Sequence, residues 1–277
     1  MLTLLSWLSH RSLGFLHALG AGLGWLGYAL SGAYRRRVRT NARLAGIGSA
    51  ERRAAVAHAG RMVAELPRLW LGAPPAYEWD NVACVDRAYA AGRGVVFLTP
   101  HLGCFEITAQ GLAQRYAARF GPLTVLYRPA RQAWLAQLMA AARDRPGLAT
   151  APTNLAGVRQ MIRALRNGHS VGLLPDQVPP GGMGIWAPFF GQDAYTMTLS
   201  ARLAQQTGAT VLLLWGERLA WGRGYRLHFR ELQHPLALDL DTAVRQVNQE
   251  MERLVRECPS QYLWGYARYK QPKGDAA

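Results

Sequence analysis

The sequence predicts an α/β fold, a mixed and largely parallel sheet flanked by helices, with a membrane helix at its N-terminus. Three observations predict it. Short runs rich in Val and Leu at residues 94–99, 123–127, 171–174 and 209–215 read as buried strands. Helical patterns separate most of them, and such alternation calls for a sheet whose parallel strands are joined by helices packed on its faces. The composition is globular: of 277 residues, 50% are hydrophobic, 18% are charged and 29 are glycine, ample for a sizeable core. Finally, the 23 residues 12–34 contain no Asp, Glu, Lys or Arg.

Taken as one helix, residues 12–34 would extend about 34 Å, enough to cross a hydrocarbon core of roughly 30 Å. Glycines and His17 temper their hydrophobicity, so a helix lying in the membrane interface fits the same pattern. A buried core helix followed by a solvated arginine run also remains open. Arg35, Arg36, Arg37 and Arg39 follow at once; the positive-inside rule places what comes after them on the cytoplasmic side. Because this charge follows the apolar stretch instead of preceding it, the pattern is that of a retained anchor and not a cleaved signal peptide. The expected division is an anchor over residues 1–34 and one globular domain over 35–277.

Beyond the anchor, Ala55, Val56, Ala59, Met62, Val63 and Leu66 share one face of a helix over 51–66, which Pro67 should end. A helix over 154–166 precedes the third strand. A last helix over 240–258 turns Leu240, Val244, Val247, Met251, Leu254 and Val255 inward, with Asp239 or Asp241 as its cap. No internal repeat or long linker interrupts the chain, and the tail after Lys270 is short and polar.

The formal net charge of +15 calls for an acidic partner. Nucleic acid, an anionic leaflet, a phosphorylated lipid and an acidic carrier protein all qualify. The basic residues are scattered, however, with no helix-turn-helix, zinc or aromatic RNA-binding signature, which argues against nucleic acid. Cys84, Cys104 and Cys258 are odd in number and widely spaced. They form neither a disulfide framework nor a zinc set, and they read as reduced thiols in a reducing compartment.

The strongest chemical signal runs from Val95 to Glu106 and reads as strand, loop and helix start. His101 then sits beyond the carboxyl end of a strand, where open α/β sheets place their sites. Glu106 falls in the first helical turn, where an acidic side chain is favoured. A histidine oriented by a carboxylate is a general base able to take a proton from a hydroxyl. On spacing alone, a hydrogen-bonded loop histidine beside a solvated glutamate fits equally well. Arg128, at the end of the second strand, has the geometry to grip a phosphate or offset a developing oxyanion, or to be a surface arginine. Asp176 is a second candidate carboxylate or a turn residue after Pro175. Phe189 and Phe190, near Trp186, Tyr195 and Met197, suit an acyl chain, a membrane face or an ordinary core.

Two motifs carry no site. Residues 181–184, Gly-Gly-Met-Gly, lack the Lys-Ser/Thr of a phosphate loop. Residues 168–172, Gly-His-Ser-Val-Gly, match GxSxG, yet a nucleophile elbow lies between a strand and the helix after it, whereas this segment ends a helix and starts a strand.

In four places the chain resembles the bacterial lipid A acyltransferases, lauroyl and myristoyl transferases of the lysophospholipid acyltransferase superfamily. His101 and Glu106 match the family's His-x4-Asp/Glu motif. Tyr127-Arg128 matches a Tyr-Arg pair. Leu174-Pro175-Asp176-Gln177, leading to Pro188-Phe189-Phe190-Gly191, resembles a Pro-Asp-Gln to Phe-Phe-Gly segment. The ending Gln261-Tyr262-Leu263-Trp264, then Arg268-Tyr269-Lys270, is also similar. The chain departs from the pattern in Leu102-Gly103-Cys104-Phe105, where the family often has tryptophan before the carboxylate, and in the less basic Tyr266-Ala267-Arg268. These departures bear on acceptor and acyl length.

The resemblance implies a glycerol-3-phosphate acyltransferase-like fold and makes residues 35–277 an acyltransferase catalytic domain. It implies His101 as base and Glu106 as its orienting carboxylate, with Arg128, Asp176, Gln177, Phe189, Phe190 and Gly191 binding substrate. Acyl carrier protein would be the donor and a phosphorylated glycolipid, a lipid A precursor, the acceptor. The enzyme would sit at the bacterial inner membrane with its catalytic domain facing the cytoplasm, and the chemistry requires no cofactor, metal or nucleic acid. The nearest rivals are transfer to another membrane lipid, such as a lysophospholipid or aminolipid, and, remotely, a basic membrane-surface protein without catalysis.

Overall fold

The computed structural model describes residues 2–127, 132, 136, 138–139, 145–272 and 274. Five helices come first: α1 (Leu2–Ser9), α2 (Leu13–Leu30), α3 (Gly32–Leu44), α4 (Ser49–Ala64) and α5 (Leu66–Leu71). The uncharged stretch is thus two helices, not one. Ser12 caps α2 by accepting from the Phe15 N–H, and Ser31 caps α3 by accepting from the Tyr34 N–H; a hydroxyl satisfying these amides starts a new helix at each position. The 18 residues of α2 have a mean hydropathy of 1.3 and extend about 27 Å.

The glycines of α2 are contact residues. A Cβ placed on Gly60 of α4 would lie 1.9 Å from the Gly20 carbonyl oxygen, and one on Gly24 would lie 2.3 Å from the Val56 oxygen. Only hydrogen fits where the two backbones meet. Because α4 gives this side to α2, its buried face is Ala55, Val56 and Ala57, and Val63, expected inside, is 62% exposed. Pro67 does end the pattern, but by opening α5, where its missing N–H costs nothing.

Among the described residues the sheet has seven strands: β1 (Tyr77–Asp80), β2 (Val95–Leu98), β3 (Leu123–Tyr127), β4 (Leu148–Pro152), β5 (Ser170–Leu173), β8 (Thr210–Arg218) and β9 (Tyr225–Glu231). Their order is β1-β9-β8-β2-β5-β3-β4. All neighbours are parallel except β8 and β9, which turn back on each other through residues 219–224. A separate hairpin pairs β6 (Gly184–Phe189) with β7 (Gln192–Met197). Its two-residue turn, Phe190-Gly191, has φ of +48° and +74°, the left-handed pair that matches strand twist.

Strand β2 lies at the centre with parallel partners on both sides, so Val95, Val96, Phe97 and Leu98 are all fully buried. Burial on both faces makes such a strand a continuous apolar run. Val96, Leu98, Val171, Leu173, Leu213 and Trp215 form one core with α8 (Leu155–Arg166) and α10 (Leu240–Glu257). The alternate positions Val95, Phe97, Leu212 and Leu214 form the other core with α6 (Val82–Ala90) and α7 (Phe105–Phe120). A further helix, α9 (Leu199–Thr207), leads into β8. The four expected strands and both later helices are present; Asn154 and Asp239 cap the helices by accepting from Gly157 and Thr242.

Candidate active site

Loop 99–104 leaves the central strand β2 and enters α7. Thr99 N–H donates to the Leu173 carbonyl at 3.1 Å, carrying the pairing with β5 one residue past the strand. Three further backbone bonds fix the loop. Leu263 N–H donates to His101 O at 3.1 Å, Gly103 N–H to Gln261 O at 3.1 Å, and Cys104 N–H to Gly216 O at 2.7 Å. Gly103 has φ +59°, and a Cβ there would stand 2.0 Å from the Gly216 oxygen, so this close approach needs glycine.

His101 meets Asp176 twice. Its backbone N–H donates to Asp176 Oδ2 at 2.8 Å, and its ring Nδ1 lies 2.7 Å from Asp176 Oδ1. Asp176 and Gln177 come from the loop after β5, the parallel neighbour of β2, so both loops leave the sheet at the same edge. The Gln177 amide nitrogen lies 2.9 Å from His101 Nε2. Together these partners assign the tautomer. A carboxylate only accepts and an amide NH2 only donates, so Nδ1 carries the proton and Nε2 the lone pair. Asp176 is 2% exposed. Burial opposes its ionisation, but the electrostatic pull of the His101 ring and the two hydrogen bonds from His101 outweigh that effect and hold its pKa below the ordinary value. The ring of Phe105 packs edge-on to His101 at 5.2 Å.

Asp176 thus places a carboxylate on the His101 ring nitrogen, in addition to Glu106, to which the resemblance gives the orienting role. Glu106 stands in the first turn of α7. With Phe105 it lines two apolar cavities. One, of about 80 Å³, passes between α7 and the sheet past Phe97, Leu112, Val125 and Leu214. The other, of about 430 Å³, opens toward α1, α4 and α5 past Leu5, Met62, Leu66 and Trp70.

Of the remaining predicted residues, Phe189 and Phe190 are buried in the core, with ring centroids 4.8 Å apart and Phe190 5.7 Å from Trp264. Gly191 is the exposed turn residue of the β6–β7 hairpin. Neither of the two cavities that Phe105 and Glu106 line includes any of the three. Arg128 lies outside the described residues. Ser170 of the GxSxG sequence is fully buried at the start of β5, accepting from Tyr89 Oη at 2.8 Å, at the opposite edge of the sheet from His101.

A buried charge network beneath the loop escaped the sequence reading. Arg218, at the end of β8, donates to Glu65 through Nε at 2.8 Å and Nη2 at 2.7 Å, and through Nη2 to the Gly103 carbonyl at 2.7 Å. Glu65 also accepts from Tyr225 Oη at 3.0 Å and meets His17 Nε2 of α2 at 3.1 Å. Burial works against the Glu65 charge, yet the Arg218 guanidinium, followed by the His17 hydrogen bond, brings its pKa down to about 2. Gln261 bridges the same strand end, its Oε1 accepting from Arg218 N and its Nε2 donating to Arg218 O. The ending at 261–264 marked Gln261 as part of a motif; Glu65 and Arg218, 153 positions apart, leave no local sign of their pairing.

The model of a family described as bacterial lipid A biosynthesis acyltransferase matches residues 2–271. The chain is 28% identical over 207 residues to the lipid A biosynthesis palmitoleoyltransferase of Escherichia coli (strain K12), covering 72% of this chain and 65% of that protein. It is 31% identical over 121 residues to the lipid A biosynthesis lauroyltransferase of the same strain, covering 42% and 39%. It is 24% identical over 188 residues to a lipid A biosynthesis acyltransferase of Haemophilus influenzae, covering 68% and 57%. The matched region thus spans just under two thirds of the palmitoleoyltransferase's length.

Proposed function

The chain belongs to the bacterial lipid A biosynthesis acyltransferase family, and from that premise we propose that it transfers a fatty acyl group from acyl carrier protein to a hydroxyl, or hydroxyacyl group, of a lipid A precursor. The observation that carries this reading is the state of His101. A buried carboxylate holds its Nδ1 proton, and its Nε2 lone pair meets the Gln177 amide, while Phe105, packed on the ring, lines two apolar cavities with Glu106.

In the proposed reaction the acceptor hydroxyl replaces the Gln177 amide at Nε2 and gives up its proton there. Its oxygen attacks the thioester carbonyl to form a tetrahedral oxyanion. Collapse expels the carrier thiolate, which takes the proton back from His101. Asp176 keeps the ring oriented and stabilises the imidazolium formed in between. Backbone amides at the start of α7 and Arg128 are the proposed oxyanion donors, each typically worth about 2.7–4 kcal/mol of barrier. Glu106, in the proposal, completes the site from the point where both cavities meet, and the cavity of about 430 Å³ takes an acyl chain. The charge of +15 favours both an acidic carrier and a phosphorylated acceptor through long-range attraction that salt weakens. Arg35, Arg36, Arg37 and Arg39 suit the anionic cytoplasmic leaflet and so support an inner-membrane enzyme whose catalytic domain faces the cytoplasm.

The test is incubation of the purified protein with acyl carrier protein thioesters and a tetra-acylated lipid A precursor, read by product mass beside His101→Ala. A gain of one acyl chain with wild type and none with the variant is expected. Turnover by His101→Ala near that of wild type would refute the role of His101. No gain on the precursor, with gain on a lysophospholipid or aminolipid, would move the reaction to another lipid.

A further inference from the structure

Among the described residues, nothing covers the outer face of α2. Every exposed residue from Phe15 to Leu30 is apolar or glycine, and Phe15, Leu19, Leu23, Leu26 and Leu30 form its stripe. The patch continues past the start of the helix. Turn 220–222, between β8 and β9, packs on Gly14, where a Cβ on Gly222 would lie 2.2 Å from the Gly14 nitrogen. There Trp221 is 93% exposed and held at φ +61°, a conformation that costs a bulky residue energy. Trp7 packs edge-on to Phe15 at 6.1 Å, with the Arg11 guanidinium 4.3 Å above its ring. Exposed arginines stand at both ends of the patch, Arg223 beside Trp221 and Arg36, Arg37 and Arg39 beyond Leu30.

The opposite face of α2 is committed to protein. It lies along α4 through Gly20 and Gly24, and His17 reaches the buried Glu65. Helix α4 carries Glu51, Arg52, Arg53 and Arg61 alongside. A spanning helix is surrounded by hydrocarbon or other apolar spans over roughly 30 Å, and a charged helix packed along α2 argues against that placement. A helix that is apolar on its outer face, packed on its inner face and flanked by arginines and tryptophans fits the membrane interface.

We propose that the protein sits on one leaflet of an anionic bilayer, with α2 lying in the interface plane and the Trp221 turn inserted as a second anchor. This extends the lipid-acceptor reading above. The groove of about 430 Å³ that reaches Glu106 is lined by Leu5, Val63 and Leu71, so this seat would bring its mouth to the lipid side.

Two measurements test the seat. Flotation of the full chain with phosphatidylglycerol-containing vesicles should show binding that falls about tenfold for Trp221→Ala, and Leu23→Glu should also weaken it; phosphatidylcholine vesicles should bind less. In a Cys258→Ser background, the other two thiols being buried, Thr3→Cys and Ala33→Cys should label with an impermeant maleimide from the same side of sealed membranes. Labelling from opposite sides would show that α2 spans, and unchanged flotation for Trp221→Ala would remove the second anchor. A dimer that dissociates on Leu23→Glu, without vesicle binding, would make the patch an interface between copies and overturn the proposal. Acyl transfer measured in detergent micelles does not need the seat, so its loss there counts against the reaction alone.

Discussion

Replacing Asp176 with Asn should silence the enzyme through a single proton. The native carboxylate accepts at both oxygens, from the His101 backbone N–H at 2.8 Å and from the ring Nδ1–H at 2.7 Å. An amide has one accepting oxygen. The backbone N–H cannot change, so the oxygen stays there and the NH2 faces Nδ1. The ring must then present a lone pair at Nδ1, which moves its proton to Nε2, the atom assigned to take the acceptor's proton. The equivalent change in serine proteases, which leaves their histidine in the wrong tautomer, lowers kcat by about 10⁴-fold. A fall of about 10³- to 10⁴-fold in kcat, with a smaller change in KM, is expected here. Stability should drop by only about 1–3 kcal/mol, the usual cost of disturbing one buried polar contact. Steady-state acyl transfer gives the first quantity and urea unfolding the second. Activity within tenfold of wild type, with the fold intact, would refute the tautomer argument.

Two further predictions concern the buried network. Glu65→Gln strands the Arg218 charge and should cost about 3–5 kcal/mol by urea unfolding, whereas Glu65→Leu combined with Arg218→Met removes both charges and should cost far less. That double variant also loses the Arg218 bond to Gly103 O and should transfer acyl groups more slowly; unchanged kcat would show that the bond does not position the loop. Acid should destabilise the fold through two groups. Glu65 has its pKa lowered to about 2 from 4.5, so its contribution, on the order of 3 kcal/mol, is present above about pH 4.5 and lost as pH falls toward 2. Burial, then Arg218, lowers the pKa of His58 to about 3 from 6.5, so stability begins to fall below about pH 6.5 as the unfolded chain takes up that proton. Urea midpoints that stay flat from pH 7 to pH 4 would contradict the His58 assignment.

The strands were legible to different degrees for a physical reason. β2 is buried throughout and reads Val-Val-Phe-Leu, and the middle of β8, Leu212–Trp215, is likewise buried and apolar, as are Val171 and Leu173 of β5. β9 reads Tyr-Arg-Leu-His-Phe-Arg-Glu and β1 reads Tyr-Glu-Trp-Asp. Their alternating polar positions hold bonds such as Arg226 to Glu78 and His228 to Asp80, so they lack the signal of a central strand. The helix break at Ser31 was hidden because hydropathy reports composition, while the break depends on one hydroxyl accepting one amide.

By itself the sequence determined the layered α/β architecture, the strand-to-helix setting of His101 and, through four motifs in order, the family. Periodicity and spacing along the chain encode all of these. Only the tertiary structure decided which groups meet. Asp176 reaches His101 across 75 positions because β5 pairs with β2. Glu65 reaches Arg218 across 153 because α4 closes against the end of β8. A hydrogen bond forms between groups about 3 Å apart in space, however far apart they lie along the chain, so local sequence cannot announce it.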